Sequence, residues 1–244
     1  MTEEIKKKKS KPAECLSLLG AVIIALLIRT IIFEPYSIPT GSMKPNFLVG
    51  DYLFVSKYAY GVSNASLPLE PNLFNGRILE LGKPERGDVI VFKSPSNRYT
   101  NYIKRLIGLP GDEIQVRDGI LYINGEMIAQ KEAGTFTDTD GHVLRKNIET
   151  LPNGISYYIL DDSSNNILDN TDVYKVPEGH YFFMGDNRDH SSDSRTNLIA
   201  FVPYEKLIGK AEMIMFSNPE SIIYIWRWLF DFNKDRLFIR IKSL

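Results

Sequence analysis

The sequence predicts a mostly β protein: an antiparallel β-sheet core carrying a smaller inserted β cap, preceded by one N-terminal transmembrane helix. Three patterns carry that expectation. Short runs of β-branched and aromatic residues recur between Gly, Pro, Asn and Asp turn signals. Two hairpin dipeptides, Asp118-Gly119 and Asn124-Gly125, separate short apolar segments. One long apolar stretch stands near the start, behind Lys6, Lys7, Lys8, Lys9 and Lys11.

The chain begins with a basic tail over residues 1–14. Residues 15–28 are 14 apolar or small positions, too few to cross a bilayer as a straight helix, which takes about 20. Extending to Phe33 gives 19, with Arg29 snorkelling to the far interface. The lysines favour a cytoplasmic N-terminus, which puts everything after Phe33 outside the cytoplasm. A cleaved export signal and a buried helix are the competing readings. The bulky Phe33-Glu34-Pro35-Tyr36 that follows offers no small-x-small cleavage site, which favours an uncleaved anchor.

Pro35 and Pro39 stop any helix and favour an extended approach to Ser42. Residues 50–60 predict a strand, 62–86 a surface loop, 88–93 a second strand and 99–107 a third. Residues 113–128 predict a tight meander, and 130–175 read as polar and irregular. Strands are expected again over His180–Met184 and Lys210–Phe216. The resulting division is a core over 34–112 and 181–244, with the cap inserted over 113–180. Residues 222–232 are rich in Trp, Tyr and Phe but carry Arg227 and Asp231. They suit either an element packed on the core or a segment resting in the membrane interface.

With 29 basic and 30 acidic residues, the chain has no general attraction to nucleic acid. Cys15, the single cysteine, excludes an internal disulfide, and three histidines leave little material for a zinc site. The acidic run from Asp161 to Asp172 lacks the glycine and closing glutamate of an EF-hand and reads as a solvated loop.

Three stretches carry the candidate chemistry. Ser42 lies in Ile38-Pro39-Thr40-Gly41-Ser42-Met43-Lys44-Pro45, where the glycine suits a tight turn exposing Oγ and a backbone N–H. That N–H and the Thr40 hydroxyl could form an oxyanion hole. The same residues also make ordinary turn material, in which a serine bonds only to backbone. Lys104 lies in Tyr102-Ile103-Lys104-Arg105-Leu106-Ile107-Gly108. Strand alternation puts it on one face with Tyr102 and Leu106, where burial would disfavour its ammonium. From pattern alone it reads first as a surface lysine in an edge strand. The polar stretch Gly185–Arg195 is either a solvated loop or one tied down by Asp193 with Arg195 or Arg188, presenting a serine to the site.

Taken in order, these stretches resemble bacterial type I signal peptidases, the leader peptidases, which are membrane-anchored Ser/Lys proteases. The resemblance runs from about Ile28 to Pro203 in five blocks: 29–45, 50–61, 86–92, 102–112 and 185–195. It implies Ser42 as nucleophile, Lys104 as general base and Thr40 as hydroxyl oxyanion donor. It also implies Ser191 as the serine that orients the lysine, with Asp193 and Arg195 as the ion pair behind it. Ile38, Met43, Phe47, Tyr102 and Ile103 fall at positions lining shallow pockets for small residues at −1 and −3, with Tyr36 and Asn101 nearby. The activity implied is removal of signal peptides from exported precursor proteins, with no cofactor and no metal. The implied setting is a monomer in the bacterial inner (plasma) membrane, in contact with lipid, its catalytic domain on the periplasmic or extracytoplasmic side. Met43 and Phe47 would rest near the bilayer surface.

His190 departs from the family, standing where asparagine is frequent. A rival wiring would join His190, Asp189 and Ser42 as a triad. A soluble Ser/Lys self-cleaving repressor fits less well, because of the apolar anchor and the missing DNA-binding region. The non-enzymatic alternative is a membrane-tethered β-rich chaperone or adaptor of exported proteins.

Overall fold

A computed structural model describes residues 15–22, 32–67, 75–78, 80–97, 99–162, 166–218, 233–241, 243 and 244. In chain order the strands are β1 (Phe33–Ser37), β2 (Asp51–Ser56), β3 (Val62–Ser63), β4 (Arg77–Ile78), β5 (Val89–Lys93), β6 (Asn101–Gly108), β7 (Glu113–Arg117), β8 (Ile120–Ile123), β9 (Glu126–Met127), β10 (Ala129–Thr137), β11 (Val143–Thr150), β12 (Ser156–Asp161), β13 (Tyr174–Lys175), β14 (His180–Met184), β15 (Val202–Pro203), β16 (Leu207–Ser217) and β17 (Ile239–Arg240). The main sheet runs β1-β2-β16-β5-β6-β14-β15, with β17 on the β16 edge. All these pairings are antiparallel. β5 and β6, rich in Val, Ile and aromatic residues, lie in the middle of the sheet, where such side chains fill both faces.

Residues 113–175 build two smaller sheets, β13-β7-β8-β9 and β10-β11-β12. The meander turns form where the dipeptides predict them: Asp118, Gly119, Asn124 and Gly125 all have positive φ, as a type I′ hairpin turn requires. These sheets share a core with the main sheet. Ile107, Phe182 and Met184 of β6 and β14 pack with Ile114, Leu121, Ile123, Tyr157 and Ile159. A second cluster joins Ile38, Met43 and Phe47 to Leu53, Val89, Val91 and Ile208. A third holds Tyr60, Ile90, Phe92, Leu106 and Phe183.

Several expectations change. The irregular segment over 130–175 contains the three-stranded sheet instead. Most β10 side chains are exposed, so it lacks the apolar alternation that marks a strand, and its pairing shifts register between Glu132 and Thr135, around Gly134. The 50–60 strand ends at Ser56. Tyr60 then turns inward, its hydroxyl donating to Asp88 Oδ2 at 2.8 Å. The 62–86 loop contains the short β3–β4 pair. Phe33, placed at the end of the anchor, belongs to β1. Residues 15–22 are helical, and the remainder of the predicted anchor up to residue 31 lies outside the described residues. Among the described residues, no helix is long and apolar enough to cross a membrane. The aromatic segment 222–232 is also outside them.

Candidate active site

The Ser42 turn is built from its buried apolar neighbours. Ile38 is bound into the edge of the sheet: its N–H donates to the Asp51 carbonyl at 2.9 Å and its carbonyl accepts from Gly50 at 3.0 Å. Met43 and Phe47 are sunk in the core, and the Phe47 N–H donates to the Met43 carbonyl at 3.0 Å. Between these fixed points Gly41–Met43 forms one 3₁₀ turn carrying a buried Ser42. Thr40 stays extended and exposed, with Oγ1 3.4 Å from Ser42 Oγ.

Lys104 comes from the centre of β6, paired across to Ile90 of β5. Its Nζ donates to Ser42 Oγ at 2.5 Å and lies 5.9 Å from the centre of the Tyr102 ring. The residue is only 3% exposed. Burial pulls its pKa from 10.5 to about 8; Asp193 and Asp186 push back upward, and Arg195 adds to the lowering. About a tenth of the amine is then neutral at pH 7, rising with pH, and a neutral amine hydrogen-bonded to a hydroxyl can take its proton.

The 185–195 loop closes the site from the other side. The Asn187 N–H donates to the Ser42 carbonyl and Asn187 Nδ2 to the Gly41 carbonyl, both at 3.1 Å. A Cβ on Gly185 would fall 2.2 Å from Ser191 Oγ and 2.6 Å from the Ser42 carbonyl oxygen, so only glycine permits this approach. Asp193 binds Arg195 through two 2.9 Å bonds and accepts from the Gly185 N–H at 2.9 Å. Burial would raise the Asp193 carboxyl, but Arg195 and these bonds outweigh it and leave it lowered. The Ser191 hydroxyl helps favour the Asp193 carboxylate, yet its Oγ is buried without a partner of hydrogen-bonding geometry among the described residues.

Two further buried pairs hold this loop. Arg105 grips Asp186 at 2.8 and 2.7 Å, and Asn46 Nδ2 adds a bond to the same carboxylate. Arg188, one of the two partners considered for Asp193, pairs with Glu149 of β11 at 2.9 and 2.5 Å. A parallel bridge between Leu160 and Asn187 docks the loop on the end of β12.

Not every expected residue reaches the site surface. Ile38, Met43 and Phe47 are core residues, at 2%, 0% and 2% exposure, so Met43 and Phe47 cannot rest on a bilayer. They form a packed layer beneath, while Tyr36, Tyr102 and Ile103 are half-buried and Asn101 is exposed. His190 faces Asp162, with Nε2 4.0 Å from Oδ2, and makes no hydrogen bond to Ser42 among the described residues. A second lysine near the turn is also engaged: Lys44 Nζ pairs with Asp138.

Asn187, Gly185 and Glu149 escaped the reading of the sequence. Asn187 meets residues 41 and 42 across 146 and 145 positions of chain, which no local pattern marks.

The family model described as "Signal peptidase, peptidase S26" matches residues 13–216. "Signal peptidase I" of Rickettsia akari (strain Hartford) is 47% identical over 251 residues, covering 99% of this chain and 92% of the relative. That of Rickettsia typhi is 46% identical over 248 residues, with coverages of 98% and 91%. A crystal structure of a signal peptidase I from Enterococcus faecalis V583 is 30% identical and covers 54% of this chain and 98% of its own, with a TM-score of 0.33. The chain belongs to the signal peptidase family, peptidase S26.

Proposed function

We propose that the chain is a membrane-associated serine endopeptidase that removes signal peptides from exported precursor proteins by a Ser42–Lys104 dyad. Family membership and near-full-length similarity to "Signal peptidase I" proteins support the activity, and nothing in those comparisons supports the non-enzymatic adaptor. The observation that carries the dyad is the buried 2.5 Å bond between Lys104 Nζ and Ser42 Oγ.

In this reading, neutral Lys104 takes the Ser42 proton as Oγ attacks the scissile carbonyl. The Ser42 N–H and Thr40 hydroxyl hold the oxyanion. Lys104 then gives its proton to the leaving amine, and water releases the acyl-enzyme. Ser191, Asp193 and Arg195 are positioning residues: the ion pair fixes the loop, and the loop carries Ser191 beside the dyad. Because Ile38, Met43 and Phe47 already fill the space beneath Tyr36 and Ile103, the surface those two leave is shallow, while Tyr102 packs in a separate cluster beside Lys104. A shallow floor suits small side chains at −1 and −3, with Asn101 at the margin. The apolar segment that precedes β1 anchors the chain in the bacterial inner membrane, N-terminus in the cytoplasm. The core and its 113–180 cap then work on the extracytoplasmic side as a monomer against lipid.

Precursor processing tests this. Ser42→Ala and Lys104→Ala should each leave precursors uncut, while His190→Ala cuts normally. Activity that survives Lys104→Ala and is lost in His190→Ala would replace the dyad with the triad.

Gly185→Ala provides a separate check on the loop. Its Cβ would collide with the Ser42 backbone and Ser191. The expected loss is about 100-fold in kcat/KM, the effect of roughly 1 Å of misplacement, with ~1–3 kcal/mol of stability from overpacking. Steady-state cleavage and thermal unfolding measure both, and an unchanged kcat/KM would remove the loop from the mechanism.

A further inference from the structure

Outside the dyad, three metal-ligating side chains converge without any role in the proposed chemistry. His142 lies in the turn between β10 and β11, Asp162 follows β12, and His190 sits in the 185–195 loop. His142 Nε2 is 3.6 Å and His190 Nε2 4.0 Å from the same oxygen, Asp162 Oδ2. One ligand atom from each residue lies within 4.8 Å of the other two. The rings meet edge to face, with centroids 6.1 Å apart and planes at 71°, so their edges converge without stacking.

We propose that His142, Asp162 and His190 form a three-ligand site for a divalent transition-metal cation of the zinc class. A tetrahedral ion with bonds of about 2.0–2.1 Å separates its ligands by about 3.4 Å. The two spacings to Asp162 Oδ2, 3.6 and 4.0 Å, come within about 0.2 and 0.6 Å of that value, and the two imidazoles, within 4.8 Å of each other, close further by rotating their exposed rings. Two imidazoles and one carboxylate suit zinc and its neighbours, whereas calcium and magnesium prefer all-oxygen sets. The side chains of His142 and His190 are 47% and 52% exposed, so an ion from solvent can reach them.

The surroundings are richer in carboxylates than in bases, with Arg145 already paired to Asp161 at 2.7 Å. Asp189 Oδ2 accepts from the Asp162 N–H at 2.6 Å, which fixes the backbone of the ligating aspartate. Asp189 Oδ1 is buried and has no hydrogen-bond partner among the described residues. Asp161 and Asp169 bring two more carboxylates to Asp189, within 4.8 Å of one another.

The ion would brace the catalytic loop from behind. The β10–β11 turn that carries His142 also carries Asp138, which grips Lys44 beside the Ser42 turn. The loop that carries His190 also carries Asn187, which holds the Gly41 and Ser42 carbonyls. Bound metal therefore raises stability without entering the chemistry, and the inference stands apart from the protease reading.

The test is a titration of the detergent-solubilised, chelator-treated full chain with Zn²⁺, followed by calorimetry and thermal unfolding. One equivalent should bind and raise the unfolding midpoint, and Ca²⁺ in excess should not displace it. His142→Ala and His190→Ala should each weaken binding by about tenfold or more, at least the loss seen when an outer-shell partner of a ligand is removed. Asp162→Asn, which keeps the side-chain volume, should do the same and decides the matter if an alanine variant fails to fold. No zinc binding by the wild-type chain, or undiminished binding in the doubly substituted His142→Ala, His190→Ala protein, overturns the proposal.

Discussion

Replacing Lys104 by methionine should abolish cleavage and, at the same time, make the folded chain more stable at pH 7. The loss in kcat should reach about 1,000-fold or more, since general acid–base catalysis alone contributes 10²–10⁴. The stability gain follows from the lowered pKa. Burial brings Lys104 from 10.5 to about 8, so the folded state holds this proton more weakly than the unfolded state does. The penalty is complete below about pH 8 and disappears above 10.5, where neither state is protonated. At 1.36 kcal/mol per unit, it amounts to ~3 kcal/mol. With Lys104 only 3% exposed, solvent screening removes little of it. Urea unfolding at pH 7 and pH 10 should show the methionine variant ahead by up to ~3 kcal/mol at pH 7, with the gap narrowing at pH 10. A variant equal to or weaker than wild type at pH 7 would mean that the lysine is not held under strain in the site.

Glu149→Ala should destabilise the fold by about 3–5 kcal/mol, the loss expected when one partner of a buried ion pair is removed. Glu149 is fully buried and receives two bonds from Arg188 and one from Tyr157. Truncation leaves the buried guanidinium of Arg188 unpaired. Denaturant unfolding should recover much of the loss in the Glu149→Leu, Arg188→Met double substitution, because what hurts is the orphaned charge rather than the missing attraction. Burial raises the Glu149 carboxyl, but Arg188 outweighs it and the net direction is down. Its contribution is therefore present above the ordinary carboxylate range and is lost as pH falls through the lowered folded-state value. Wild type should lose this increment in acid, whereas Glu149→Ala, lacking it at every pH, should show a flatter acid limb. Equal stability of Glu149→Ala and wild type at pH 7 would contradict this account.

These two residues also show what the sequence made legible. Alternation along β6 placed Lys104 on the face of Tyr102 and Leu106, which pack in one cluster while Ile103 and Ile107 pack in two others, but it left the burial of the lysine open. Its setting in ordered blocks, with Ser42 and the 185–195 stretch, then pointed to a family and hence to a role. Glu149 had no such marker. A charged residue in a polar strand looks solvated until its partner, 39 positions away, is known. β10 was missed for a related reason: exposure on both faces erases the alternation that identifies a strand. Asn187 and Gly185 act through backbone contacts with the Ser42 turn, and a single chain read locally does not reveal which distant backbone it will meet.

The pH dependence of kcat/KM for precursor cleavage tests the dyad most directly. The rate should rise through one ionisation near pH 8 as Lys104 loses its proton, and His190→Ala should leave that profile unchanged. A rise centred near the ordinary histidine value of about 6.5, abolished in His190→Ala, would contradict the account and make His190 the base.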